Sequence, residues 1–113
     1  MRQILLAGLI GLYTTASLAH SPLQSTNPMD QSTLVAVPEQ LILTFHAAIR
    51  LTRVTVAIDE GDLLTLDLAG QTSFATDYSF AFPDQGAGTY LVVWRGLGDD
   101  GHAQTGEFTF TVE

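Results

Sequence analysis

The segment Gly88–Val112 reads GTYLVVWRGLGDDGHAQTGEFTFTV, and its reading decides the fold. Apolar residues fall on every second position at Tyr90, Val92 and Trp94, and again at Phe108, Phe110 and Val112. A period of two sends alternate side chains to opposite faces, so each run is a strand with one buried face. Between them lies Asp99-Asp100-Gly101, a turn whose Asp-Gly step is one of the strongest short-range hairpin signals.

The same alternation extends toward the N-terminus. It appears at Leu41, Leu43 and Phe45, at Val54, Val56 and Ile58, at Leu64, Leu66 and Leu68, and more weakly from Tyr78 to Phe82. Read separately, these runs are further strands. Turn-forming residues punctuate the series at Pro38-Glu39, Asp59-Glu60-Gly61-Asp62, Ala69-Gly70, Pro83-Asp84 and Gly86-Ala87-Gly88. Strands recurring about every 8–12 residues predict a small antiparallel all-β sandwich or barrel. No stretch after residue 19 has helical periodicity, and no repeat or second-domain linker is present.

Composition narrows the function. A chain of 113 residues with 46% hydrophobic and 14% charged content has room for one domain and one core. Twelve acidic residues against four arginines and no lysine give a net charge of -8, which repels nucleic acid and anionic membrane surfaces. The absence of cysteine excludes disulfides, thiolate catalysis, tetrathiolate zinc, iron–sulfur clusters and cysteine-ligated blue copper.

Residues 1–19 carry one charge, Arg2, then an apolar run from Ile4 to Leu12, then small and polar residues up to Ser17-Leu18-Ala19. This is the pattern of a secretory signal peptide with a small-x-small cleavage site. Cleavage after Ala19 predicts a 94-residue domain, 20–113, with a net charge of -9 once Arg2 is removed. It also makes His20 the first residue. A free α-amine, with a pKa of about 7.7–8, then stands beside an imidazole of pKa about 6.5, and the two can chelate one metal ion.

Residues His20–Gln31 are rich in Ser, Pro, Thr and Asn and read as an extended arm with turns at Pro22 and Asn27-Pro28. Asp100 and His102 are separated by one glycine, so a tight loop can aim a carboxylate and an imidazole at one point. If the arm lies beside that loop, His20 adds two nitrogens. Three nitrogens and one oxygen suit tetragonal Cu(II), with Zn a weaker competitor for the same donors. The plainer alternatives are an ordinary hairpin turn at Asp100-Gly101 and a surface role for His102. His46 ends a strand and is read as a solvated surface residue. Asp59, Glu60 and Asp62 lack the ligand ladder of a calcium loop and read as a solvated turn. Met29 is the one methionine after cleavage, too few for a soft Cu(I) site. Trp94 is read as a core residue, and Arg95 as a possible partner for a loop carboxylate.

His20-Ser21-Pro22-Leu23 followed by Thr26-Asn27-Pro28 resembles the mature start of the CopC copper-resistance proteins. Gly88–Arg95, Asp100-Gly101-His102 and Gly106–Val112 resemble that family's closing signature. The resemblance implies a small Greek-key β-barrel of about seven strands, cupredoxin- or immunoglobulin-like. It implies a periplasmic, monomeric protein that sequesters or carries copper for resistance and homeostasis and delivers it to an inner-membrane importer of the CopD type. Carried over by position, the Cu(II) ligands are the amine and ring of His20, the carboxylate of Asp100 and the imidazole of His102. Many relatives carry a Met-rich Cu(I) loop, whereas Asp59–Leu68 here has no methionine.

Two other readings compete. One is an oxidative enzyme built on a copper histidine brace, against which Asp100 would fill the equatorial corner that oxygen needs. The other is a metal-free immunoglobulin-like interaction module, in which His20 and His102 would lie far apart.

Overall fold

The computed structural model describes residues 22–113, which form seven strands and, among the described residues, no helix. The strands are β1 (Leu23–Asn27), β2 (Ser32–Leu34), β3 (Gln40–Ile58), β4 (Leu64–Thr65), β5 (Ala75–Ala81), β6 (Gly88–Gly98) and β7 (Ala103–Val112). They join in one sheet along the path β1-β3-β6-β7-β2, with β4 and β5 also paired to β3. The sheet curls into a half-barrel around its apolar face.

The alternation in Gly88–Val112 explains the centre of this sheet. β6 and β7 pair antiparallel with Tyr90 opposite Phe110 and Val92 opposite Phe108. β6 also pairs with β3, setting Val54 against Trp94 and Val56 against Val92. All of these side chains are buried. Fully burying an aliphatic or aromatic side chain contributes about 1.5–3 kcal/mol, so the inward positions of three adjacent strands drive closure. Tyr90 stacks on Phe110 with ring centroids 5.1 Å apart, and Phe45 meets Trp94 edge-on at 5.0 Å.

Two expectations are corrected. Leu41–Phe45 and Val54–Ile58 are not separate strands but two parts of one 19-residue strand, β3. The inward set is Leu41, Leu43, Phe45, Ile49 and Leu51, all odd-numbered, then Val54 and Val56. The change of phase is a register shift between Leu51 and Arg53, where one extra residue, Thr52, is accommodated without a turn. The second correction concerns direction: β2 pairs with β7 in parallel, Ser32 opposite Phe110 and Leu34 opposite Val112. The other pairings are antiparallel.

Pairing also shows which edge of β3 each neighbour occupies. Leu43 has Thr26 of β1 on one side and Tyr78 of β5 on the other, while Ile49 has Gly98 of β6 on one side and Ala75 of β5 on the other. Since β5 keeps to one edge, β1 and β6 share the opposite edge and meet nearly end to end. Tyr78 braces the intervening stretch, its hydroxyl lying 2.6 Å from the Ile49 carbonyl and 2.7 Å from that of Ser73.

Trp94 is 1% exposed and faces Gly106 across the strands. A Cβ on Gly106 would lie 2.7 Å from Trp94 Nε1 and 2.8 Å from two further ring atoms. The buried ring has no room to retreat, so Gly106→Ala is expected to destabilise the fold by about 1–3 kcal/mol through overpacking. Urea unfolding followed by Trp94 emission measures this, and an unchanged midpoint would refute it.

Candidate metal centre

The hairpin between β6 and β7 is closed by two main-chain bonds. Gly101 N donates to Gly98 O at 3.0 Å, and Gly98 N donates to His102 O at 2.9 Å. Gly101 lies at φ 85°, the left-handed region that glycine enters without strain. This is a three-residue hairpin loop with glycine in its last position, as the Asp-Gly signal predicts.

Inside this loop Asp100 and His102 are locked together twice. Asp100 Oδ1 accepts the His102 backbone N–H at 3.0 Å, and Asp100 Oδ2 lies 2.9 Å from His102 Nδ1. Both side chains remain open to solvent, 60% and 83% exposed. The bond to His102 holds the Asp100 carboxyl below its usual range, helped by the backbone N–H of His102. The same carboxylate raises the His102 imidazole above its usual value. The ion pair therefore spans the window between these two displaced titrations. Asp100 loses it as pH falls through its lowered pKa, and His102 as pH rises through its raised one. On so exposed a surface the pair contributes little to stability.

Among the described residues, no three His, Asp or Glu side chains are grouped to hold a metal ion. The tip presents one carboxylate and one imidazole side by side. His20 lies outside the described residues, but the strand that follows it has a defined direction. Leu23 is opposite Phe45, His46 N donates to Pro22 O at 3.0 Å, and Gly98 is opposite Ile49 on the same edge of β3. Four positions at about 3.3 Å each separate the start of β1 from the end of β6. β1 thus begins toward the end of the sheet at which Asp100 and His102 stand.

His46 is exposed and outside the Asp100–His102 pair, and its main-chain N–H is what ties down Pro22. That anchoring role was missed in the sequence because it belongs to the backbone and carries no side-chain signature. Asp59 and Glu60 form an exposed turn closed by Gly61 N to Ile58 O at 2.8 Å, as expected. Met29 is 70% exposed. The idea that Arg95 pairs with a loop carboxylate is corrected. Arg95 stands opposite Arg53 on β3 and Thr105 on β7, and the one ion pair among the described residues is His102 with Asp100.

Fold and tip together define a class: a small all-β domain on a curled sheet whose hairpin end presents a carboxylate and an imidazole side by side. Residues 23–113 match the CopC domain, and the chain belongs to the CopC family. Copper resistance protein C of Escherichia coli is 30% identical over 127 residues, covering 99% of this chain and 96% of the relative. The crystal structure of CopC from Methylosinus trichosporium OB3b superposes with a TM-score of 0.71 at 26% identity, covering 83% of this chain and 94% of that one. PcoC from Escherichia coli, described as a methionine-rich copper resistance protein, superposes with a TM-score of 0.57 at 27% identity, covering 84% of this chain and all of PcoC. The present chain has only two methionines, Met1 and Met29.

Proposed function

We propose that this protein binds one Cu(II) ion at the β6–β7 tip and serves copper resistance and homeostasis as a periplasmic carrier rather than as an enzyme. In this reading residues 1–19 are a signal peptide, and its removal frees the amine of His20. The amine and ring of His20, the Asp100 carboxylate and the His102 imidazole are the donors. The protein works as a monomer and hands copper to an inner-membrane importer of the CopD type.

The observation that carries the reading is the 2.9 Å separation of Asp100 Oδ2 and His102 Nδ1. Two adjacent corners of a square plane lie about 2.8–3.0 Å apart when each donor is about 2.0–2.1 Å from the metal. The pair is therefore already spaced as neighbouring ligands would be, with the metal position lying off the Nδ1–Oδ2 line along which the shared proton sits. Three nitrogens and one oxygen favour Cu(II) over softer Cu(I), and a single described methionine offers no thioether cluster.

The test is copper titration of the processed protein, its N-terminus verified by mass, followed by electron paramagnetic resonance. An axial Cu(II) spectrum with three coupled nitrogens is expected, whereas one nitrogen or no bound copper refutes the site. Because Asp100 holds a proton on His102 to higher pH than a free imidazole would, affinity should begin to fall above pH 6.5 as the solution is acidified. Asp100 itself stays ionised across that range. A flat response between about pH 8 and pH 5 contradicts protons competing for the amine and imidazoles.

A further inference from the structure

The arginines other than Arg2 lie together on the solvent face of β3 and β6. Val54 and Trp94 are a buried cross-strand pair, so the adjacent pair, Arg53 and Arg95, points the opposite way, and both are exposed. Arg50 is exposed between buried Ile49 and Leu51, opposite Leu97. None of the three guanidinium groups donates a hydrogen bond or forms an ion pair among the described residues. Glu107, exposed on β7 two positions from Thr105, and Asp99, exposed two positions beyond Leu97, are the nearest carboxylates in the strand register, and neither forms an ion pair with them.

Like charges directly opposite each other in an antiparallel sheet are destabilising. Here the conflict falls in a chain that has twelve carboxylates to choose from as partners. Local choices that oppose the fold mark places where something other than folding is served. We propose that the Arg50, Arg53 and Arg95 face is a docking surface for a short carboxylate-rich segment of a protein partner.

Three observations select that occupant. All the cations are arginine, whose planar fork takes a carboxylate in two parallel hydrogen bonds. Facing side chains on paired strands lie about 5 Å apart at Cβ, so neighbouring forks accept neighbouring carboxylates of one segment. The rest of the chain is strongly acidic, so an extended anionic surface such as a membrane would bring its charges within about 8 Å, one Debye length, of those carboxylates. A short segment engages the three guanidinium groups without spanning the rest of the acidic surface. The row holding Arg50 and Leu97 continues to Ala103, beside His102, so a partner docked here lies next to the hairpin tip. The surface exists whether or not that tip holds copper.

The probe is a fluorescein-labelled hexaglutamate peptide, measured by anisotropy with the processed protein at low ionic strength and at about 0.15 M salt. Salt-sensitive binding is expected, at least about 10-fold weaker in the Arg53→Gln/Arg95→Gln double variant. That variant should keep its copper affinity, and its Tm should hold or rise by about 1–4 °C as the like-charge pair is relieved. Absence of peptide binding, equal binding by the variant, or binding to phosphatidylglycerol vesicles in place of the peptide overturns the proposal. A lowered Tm also overturns it, since it would assign the arginines to the fold.

Discussion

One residue added ahead of His20 is expected to weaken Cu(II) binding by about 100-fold or more while leaving the fold intact. The extension turns the α-amine into an amide, whose nitrogen no longer offers a lone pair, and moves the new amine one residue away from the imidazole. Losing a partner that merely orients a ligand costs 10–100-fold in metal affinity, and here a ligand itself is removed. The arm cannot compensate by sliding. Leu23 packs against the core, Pro22 O is held by His46 N, and a one-residue slip would turn Leu23 outward. Competition titration against a chelator of known affinity reads the effect, with emission from Trp94, the single tryptophan, as the folding control. Unchanged affinity would refute the amine ligand.

The reach of this prediction depends on how the site is divided between sequence and fold. The hairpin tip was legible because its determinants are local. Alternation in Tyr90–Trp94 and Phe108–Val112 sets two strands, Asp-Gly sets the turn, and one intervening glycine sets Asp100 beside His102. The path of β3 was not legible, because a change of hydrophobic phase looks alike whether the chain turns or absorbs a bulge. Ile49 and Leu51 continue the odd phase of Leu41–Phe45, and Thr52 takes up the extra residue before Val54. That continuity matters, for it lets β1 and β6 share one edge of β3 and sets the start of β1 toward the tip. The parallel pairing of β2 was hidden for another reason. Ser32–Leu34 is too short to show a period, and its partner, β7, lies about 80 residues on. The clustering of Arg53 with Arg95 is likewise a property of register and not of spacing along the chain.

Replacing His102 by Phe should damage copper binding about as severely as the N-terminal extension, and a comparison with Asp100→Asn separates ligation from scaffolding. His102→Phe removes a nitrogen donor but keeps the main-chain N–H that Asp100 Oδ1 accepts, so the loop retains its geometry. The lost ion pair is exposed, and stability should hardly change. Asp100→Asn keeps an oxygen in place of Oδ1 for the turn but removes the charge that would complete the square plane. Affinity should therefore fall by about 10-fold or more for Asp100→Asn and about 100-fold or more for His102→Phe, with the fold retained in both. His46→Ala, which leaves the anchoring N–H in place, should be nearly silent. Electron paramagnetic resonance adds a second reading: one coupled nitrogen is lost in His102→Phe and none in Asp100→Asn. If His102→Phe bound copper as the parent does, the 2.9 Å pair would be only the lock of a hairpin turn. The carrier reading would then lose the observation on which it rests.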